Sequence, residues 1–111
     1  MFELHATLDA VSTFIYVKDR DRRVVSANRA FCEALGVPRE ELLGKTTVEF
    51  LGDAGPDSDS VDREVIESGI SRVGIIEAYP ATDGLRWVVS DKAPIRDSTG
   101  KVIGLVGSSV D

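Results

Sequence analysis

The 111-residue chain is short of the side chains that carry most protein chemistry: it has one cysteine, one histidine and one tryptophan. A lone cysteine, Cys32, cannot close an internal disulfide, which fits a reducing compartment. Metal centres need several Cys, His or acidic ligands at regular spacing; with His5 near one end and Cys32 distant from it, no metal cluster is legible. Positive charge is also scarce, with 13 Lys and Arg against 19 Asp and Glu, a net charge of -6. That balance offers no basic stripe to neutralise phosphates, so neither nucleic acid nor direct membrane contact is expected. No apolar run approaches the roughly 18 residues of a spanning helix, and the segment Met1 to Ala10 lacks the basic and apolar regions of a secretory leader. The expected location is cytoplasmic, with a membrane-anchored parent protein still compatible.

What remains is enough for one compact domain: the apolar fraction is 42%, and the length leaves no room for a second core. Leu4, Leu8 and Val11, at i, i+4 and i+7, predict a short amphipathic helix over residues 1–12 whose stripe needs a partner. The body of the domain is then 13–111. Phe14 to Val17 and Val24 to Ala27, either side of the polar run Asp19-Arg20-Asp21-Arg22-Arg23, read as a β-hairpin. Asn28 can cap a helix carrying Phe31 and Leu35, closed by Gly36. Pro38 starts another that Gly44 ends, and Thr46 with Glu49 has capping-box spacing for a third. Gly52 to Ser60, rich in Gly, Asp and Ser, reads as a loop, and Asp59 or Ser60 as the cap of a longer helix with Val61, Val65 and Ile66.

The last third alternates as strands. Arg72 to Tyr79 and Leu85 to Ala93 flank Ala81-Thr82-Asp83-Gly84, the strongest hairpin signal in the chain, and Val102 to Val110 follows a second Gly-bearing turn. Three consecutive strands without helices between them imply an antiparallel sheet and an α+β domain with helices to one side. Alternation puts Leu85, Trp87 and Val89 on one sheet face and Arg86, Val88 and Ser90 on the other, without saying which face meets the helices. Gly104 and Gly107 inside the last strand suggest a bulge or a close approach.

Three stretches then bear a family resemblance: Phe14-Ile-Tyr-Val-Lys-Asp-Arg-Asp with Val24-Val-Ser-Ala-Asn-Arg-Ala-Phe-Cys, Leu35-Gly-Val-Pro-Arg-Glu-Glu-Leu-Leu-Gly-Lys, and Arg86-Trp-Val-Val-Ser through Gly100-Lys-Val-Ile-Gly-Leu-Val-Gly-Ser-Ser-Val-Asp. In order and spacing the chain resembles a PAS domain from about Leu8 to Asp111. The resemblance implies a five-stranded antiparallel sheet in the order 2-1-5-4-3 with short helices on one face. It also implies a sensor or dimerisation module, not an enzyme, covalently linked to an output domain such as a histidine kinase, diguanylate cyclase, phosphatase or transcription regulator. Asp111 matches the acidic residue that opens the family's exit motif, and is the expected signal exit. Arg22 departs from the glycine many relatives carry, and a left-handed arginine would cost roughly 1 kcal/mol, so a different turn shape is expected there.

No cofactor is implied. The photoreactive cysteine of the light-oxygen-voltage branch has no counterpart in Thr46 to Leu51, and the long helix carries no haem-ligating histidine. Cys32 reads as a core residue and His5 as a surface one. Asp53, Asp57, Asp59 and Asp62 read as a solvated loop and helix start rather than an acid–base pair. Phe31, Leu35, Val48, Val65, Trp87 and Leu105 are the candidate lining of a pocket for a small, mostly apolar ligand, Trp87 having core packing and an interface as alternatives. Leu4, Leu8 and Val11 are the candidate contacts of a homodimer, the alternative being that their helix covers the sheet of its own domain. The competing readings are a ligand-free structural module that dimerises and relays, and a small α+β enzyme, for which no convergent acid, base or nucleophile is visible.

Overall fold

A computed structural model describes residues 4–111, without side-chain placement at Leu4, His5 and Ala54; the expectations for the Leu4 and His5 side chains lie outside the described residues. The chain runs through α1 (Leu4–Asp9), β1 (Phe14–Asp19), β2 (Val24–Ala27), α2 (Arg29–Leu35), α3 (Arg39–Leu42), α4 (Thr47–Leu51), a 3-10 turn (Gly52–Ala54), α5 (Gly55–Ser68), β3 (Arg72–Ala81), β4 (Gly84–Arg96) and β5 (Val102–Val110). One antiparallel sheet results, in the order β2-β1-β5-β4-β3. This is the fold that the resemblance implied.

The local rules explain most element boundaries. Asn28 caps α2 by accepting from Phe31 N, and Gly36 ends it in the left-handed conformation with φ 71°. Thr46 caps α4 through Glu49 N. Asn28 reaches further: its carbonyl oxygen also accepts from Ile15 N (3.0 Å), and its amide donates to the backbone oxygens of Leu8, Val11 and Thr13. One buried side chain therefore ties the N-terminal segment, the first strand and the second helix together.

Two expectations are corrected. Gly52 to Ser60 is not a loop: a 3-10 turn leads straight into α5, which begins at Gly55. Gly55 sits so close to α4 that a Cβ there would lie 2.8 Å from the Val48 Cα, so the two helices meet where a polar composition suggested a gap. Arg22 does adopt a left-handed backbone, φ 64°, and the turn keeps its tight shape. Its guanidinium binds Asp59 on α5 at 2.9 Å, which offsets the strain and fixes the side chain in the direction a glycine would leave empty.

The core lies between the sheet and the helices in two linked clusters. Tyr16, Val65, Ile66 and Leu105 form one, and Val24, Ala27, Cys32 and Leu42 the other, with Phe31 packed against both. Burial along β4 decides the face that alternation left open: Val88, Ser90 and Lys92 are buried, whereas Leu85, Trp87, Val89 and Asp91 are exposed. The helices cover the Val88 face.

Gly107 on β5 stands opposite Tyr16 on β1, and a Cβ at Gly107 would lie 2.2 Å from the Tyr16 ring. The ring occupies the space of the missing side chain, which bears out the close approach expected at that glycine. Replacing Gly107 by Ala is expected to cost about 1–3 kcal/mol through overpacking, read as a lower denaturation midpoint with an unchanged slope.

Candidate functional site

Between α2, α4 and α5 and the inner sheet face lies a cavity of about 50 Å³. Its walls are aromatic: Phe14, Tyr16, Phe31, Phe50 and Tyr79, with Leu51 and Val88. The rings interlock at centroid distances of 5.2 Å for Tyr16–Phe31, 5.8 Å for Phe14–Tyr79 and 6.3 Å for Phe31–Phe50. Tilted and edge-on pairs of this kind are the favoured aromatic geometry.

One part of the lining is polar, formed by Lys18, Thr47, Ser58, Glu77 and Ser109. Lys18 on β1 donates to Thr47 Oγ1 and Asp62 Oδ2. Lys92 on β4 lies 2.9 Å from Asp62 Oδ1 and 2.9 Å from Glu77 Oε2, and donates to Ser58 Oγ at 3.1 Å. Lys18, Lys92 and Asp62 are essentially out of contact with water. Two ammonium and two carboxylate groups thus balance in charge, and they join β1, β3, β4, α4 and α5. An unpaired charge in such a place would be far too costly to keep.

Burial acts in opposite directions on these groups. It lowers the Lys18 amine below its ordinary value despite the adjacent Asp62. For Lys92, burial is outweighed by Tyr16, Asp62 and Glu77 together, and the amine is held above its ordinary value. Burial pushes the Tyr16 hydroxyl well above the usual phenol range, and burial with the Asp111 carboxylate pushes Tyr79 up.

The structure places the six candidate lining residues differently. Phe31 lines the cavity. Val65 and Leu105 are fully buried in the core cluster beside it, and Leu35 packs on the Val24 and Cys32 cluster. Val48 does not line the cavity: it is 44% exposed, because α4 turns Thr47 inward instead. Trp87 is likewise corrected. At 60% exposure it stands on the outer sheet face, opposite the helices. Asp62, expected in a solvated acidic stretch, is corrected as well. The extra turns at the start of α5 carry it under the sheet, where it is completely buried.

Lys18, Lys92, Asp62 and Glu77 escape sequence reasoning as a group. Alternation carries the signal in part, since Lys92 shares parity with Val88 and Ser90 and Lys18 with Tyr16. A strand lysine is ordinarily solvent-facing, so the parity points nowhere until the covered face is known.

Cys32 is buried beside Leu42, and burial raises its thiol, as suits a core residue. Of the dimer candidates, Leu8 is half-buried and Val11 exposed. Asp111 follows β5, where its carboxylate accepts from the Tyr79 hydroxyl at 3.3 Å and lies 3.2 Å from Arg86 Nε. Tyr79 is therefore both cavity wall and contact of the last residue.

A family model described as PAS fold matches residues 8–111. The chain belongs to the PAS family. Of its relatives, a diguanylate cyclase of Vibrio cholerae is 33% identical over 99% of this chain and 36% of its own length. The virulence sensor protein BvgS of Bordetella pertussis is 28% identical over 97% of this chain and 9% of its own. The PAS domain thus spans about a third or less of these curated relatives. Among solved structures, VqmA bound to DPO superimposes with a TM-score of 0.85 at 29% identity, over 96% of this chain and 54% of that one. Among the described residues of this PAS domain, no helix is long and apolar enough to cross a membrane.

Two outcomes test the buried network. Asp62→Ala strands two lysines and is expected to destabilise the domain by about 3–5 kcal/mol, measured by urea denaturation; a loss under about 1 kcal/mol would show that water reaches the site. At alkaline pH the raised Tyr16 value means that the unfolded chain releases the phenol proton before the folded one. Stability from this group is therefore intact below about pH 10, the ordinary tyrosine value, and falls as pH rises beyond it. In an alkaline titration followed by ultraviolet absorbance, tyrosinate signal is expected to appear together with loss of ellipticity rather than before it.

Proposed function

We propose that this PAS domain is the sensory module of a larger signalling protein and holds a small ligand in the aromatic cavity. The observation that carries the reading is the polar patch formed by Lys18, Thr47, Ser58 and Glu77, with Ser109, in a lining that is apolar and aromatic elsewhere. Ligand sites ordinarily combine apolar walls with a few fixed polar groups. Lys18 spends two of its three N–H donors on Thr47 and Asp62, leaving one for a ligand acceptor. The matching molecule has a flat or compact apolar body and one hydrogen-bond acceptor at its edge. VqmA bound to DPO supports a small ligand in a relative of this fold.

The reading has a built-in route to output. A ligand against Tyr79 changes the setting of its hydroxyl, and with it the hold on Asp111 that Tyr79 and Arg86 share. The last strand and whatever follows Asp111 then take one of two arrangements, their populations shifted by the differential affinity of the ligand. The output is a kinase, cyclase, phosphatase or transcription-regulating segment in the parent protein, a diguanylate cyclase being one of the relatives, and the domain itself performs no catalysis. It acts from the cytoplasmic side, as a homodimer with Leu8 of α1 and Val11 just after it at the contact.

The small cavity favours a second reading. At about 50 Å³ it is below the roughly 300–1,000 Å³ of drug-sized sites, and interlocked rings fill most of the interior. In that case the domain is a ligand-free structural module that dimerises and relays.

Native mass spectrometry of the purified chain separates the two. A bound small molecule released on denaturation supports the sensor, and Thr47→Val, which removes one of the two acceptors that fix the Lys18 ammonium, is then expected to weaken its binding about tenfold. A clean apo mass, with no thermal shift across a set of small aromatic and heterocyclic compounds, overturns it. In the parent protein, Asp111→Ala is expected to abolish regulation of the output while binding persists; unchanged regulation rules out the route through Asp111.

A further inference from the structure

Two lysines enter the interior, and they are not equivalent. Lys92 meets three acceptors, Asp62 Oδ1 and Glu77 Oε2 at 2.9 Å each and Ser58 Oγ at 3.1 Å, one for every N–H of its ammonium. Lys18 meets two, Thr47 Oγ1 and Asp62 Oδ2. The wall of the aromatic cavity includes Lys18 and not Lys92. The Lys18 side chain is 3% exposed, so its amine reaches the cavity and almost no bulk water. The Tyr16 ring faces it, with the centroid 5.4 Å from Nζ. A desolvated amine beside a carboxylate that can take its proton is the arrangement that makes lysine a nucleophile.

Size narrows what this amine can meet. At about 50 Å³ the cavity has room for roughly three or four water-sized groups, which suits a chain of a few heavy atoms better than a ring system. We propose that Lys18 captures a short aliphatic aldehyde, of about three carbons, as a reversible Schiff base inside this cavity. The inference rests on the reading of the cavity as a ligand site, and it names the ligand class and the atom that holds it.

The chemistry balances within the network. Asp62 takes one proton from the Lys18 ammonium, and the freed lone pair forms a C–N bond to the carbonyl carbon. The carbonyl π electrons move to the oxygen, which gains a second proton from the nitrogen and leaves a neutral carbinolamine. Asp62 then returns its proton to that hydroxyl, the C–O bond breaks, water leaves, and the nitrogen lone pair closes the C=N bond. One ammonium and one aldehyde thus give one protonated imine and one water, with no oxidant or reductant consumed. The positive charge stays on the nitrogen, so the balance of two cations and two carboxylates survives, and the remaining N–H is kept for Asp62. Carbon dioxide is also small enough, but it would replace the cation by an anionic carbamate next to the Asp62 carboxylate, which a dry site penalises. The Thr47 and Ser58 hydroxyls in the wall are the donors at hand for the carbonyl oxygen, and Phe14, Phe31 and Phe50 shelter the alkyl chain and keep hydrolytic water from the imine.

The test incubates the 111-residue chain at neutral pH with propanal and sodium cyanoborohydride, which reduces the imine to a stable propylamine. The chain holds four lysines, Lys18, Lys45, Lys92 and Lys101, so peptide mass mapping reads each one. The expected result is a propyl group on Lys18 about tenfold or more ahead of the exposed Lys45 and Lys101, which are almost wholly protonated at neutral pH. Burial, which holds the Lys18 amine below its ordinary value, acts in the same direction. In urea that preference is expected to vanish. Lys18→Gln is expected to lose the fast adduct with labelling of Lys45 and Lys101 unchanged; should that variant fail to fold, the map of the unmodified chain still decides. The inference is overturned if Lys45, Lys92 or Lys101 is labelled ahead of Lys18, or if folded and urea-unfolded chains label alike. A small molecule that co-purifies with the chain, with no Lys18 adduct after reduction, overturns the covalent step and leaves the sensor reading standing. A clean apo mass with neither a thermal shift from propanal nor a Lys18 adduct overturns both.

Discussion

Asp62 between two buried lysines is the contact on which the rest of this domain depends. It brings α5 onto the sheet, because its two oxygens face Lys18 on β1 and Lys92 on β4, on opposite sides of β5 in the sheet order. Glu77 balances the second lysine from β3, and Thr47 completes the first from α4. A network with every charge matched keeps its place in a dry interior, whereas a partly matched one is worse than an apolar core. Its geometry therefore admits few alternatives to the observed stacking of helices on sheet.

The same network gives the cavity its character. Aromatic rings alone would make a greasy core that closes on itself. With Lys18, Thr47, Ser58 and Glu77 in the wall, the interior keeps a polar group where a ligand edge can settle. Tyr79 connects that interior to Asp111, so the site and the end of the last strand share one side chain. The two faces of the sheet differ in kind: the inner one shapes the cavity, and the outer one exposes Leu85, Trp87 and Val89. Strand alternation delivers both from the same residues in β4, with Val88 and Lys92 turned one way and Trp87 and Val89 the other.

Much of this was legible in the residues. Asn28, Gly36 and Thr46 announced helix ends through side-chain and backbone chemistry that acts within a few residues, and the Asp83-Gly84 turn announced its hairpin. The order of strands and helices fixed the α+β class, and the resemblance to PAS domains supplied the strand order. Gly107 signalled a close approach, although only the cross-strand register named Tyr16 as its neighbour.

Of the six proposed lining residues, Phe31 reaches the cavity, and the reason the others do not is general. Periodicity states which residues share a face; it does not state what the face meets. Trp87 went outward because α4 and α5 pack on the Val88 side, a choice made by contacts far apart in sequence. Asp62 went inward because Gly55 lets α5 start early and press against α4. Composition, local capping and alternation are properties of neighbouring residues, and the sequence determined them. The pairing of Lys18 with Asp62, 44 positions away, exists only once the layers have closed, so the site's charge and the exposure of Trp87 were decided by tertiary structure.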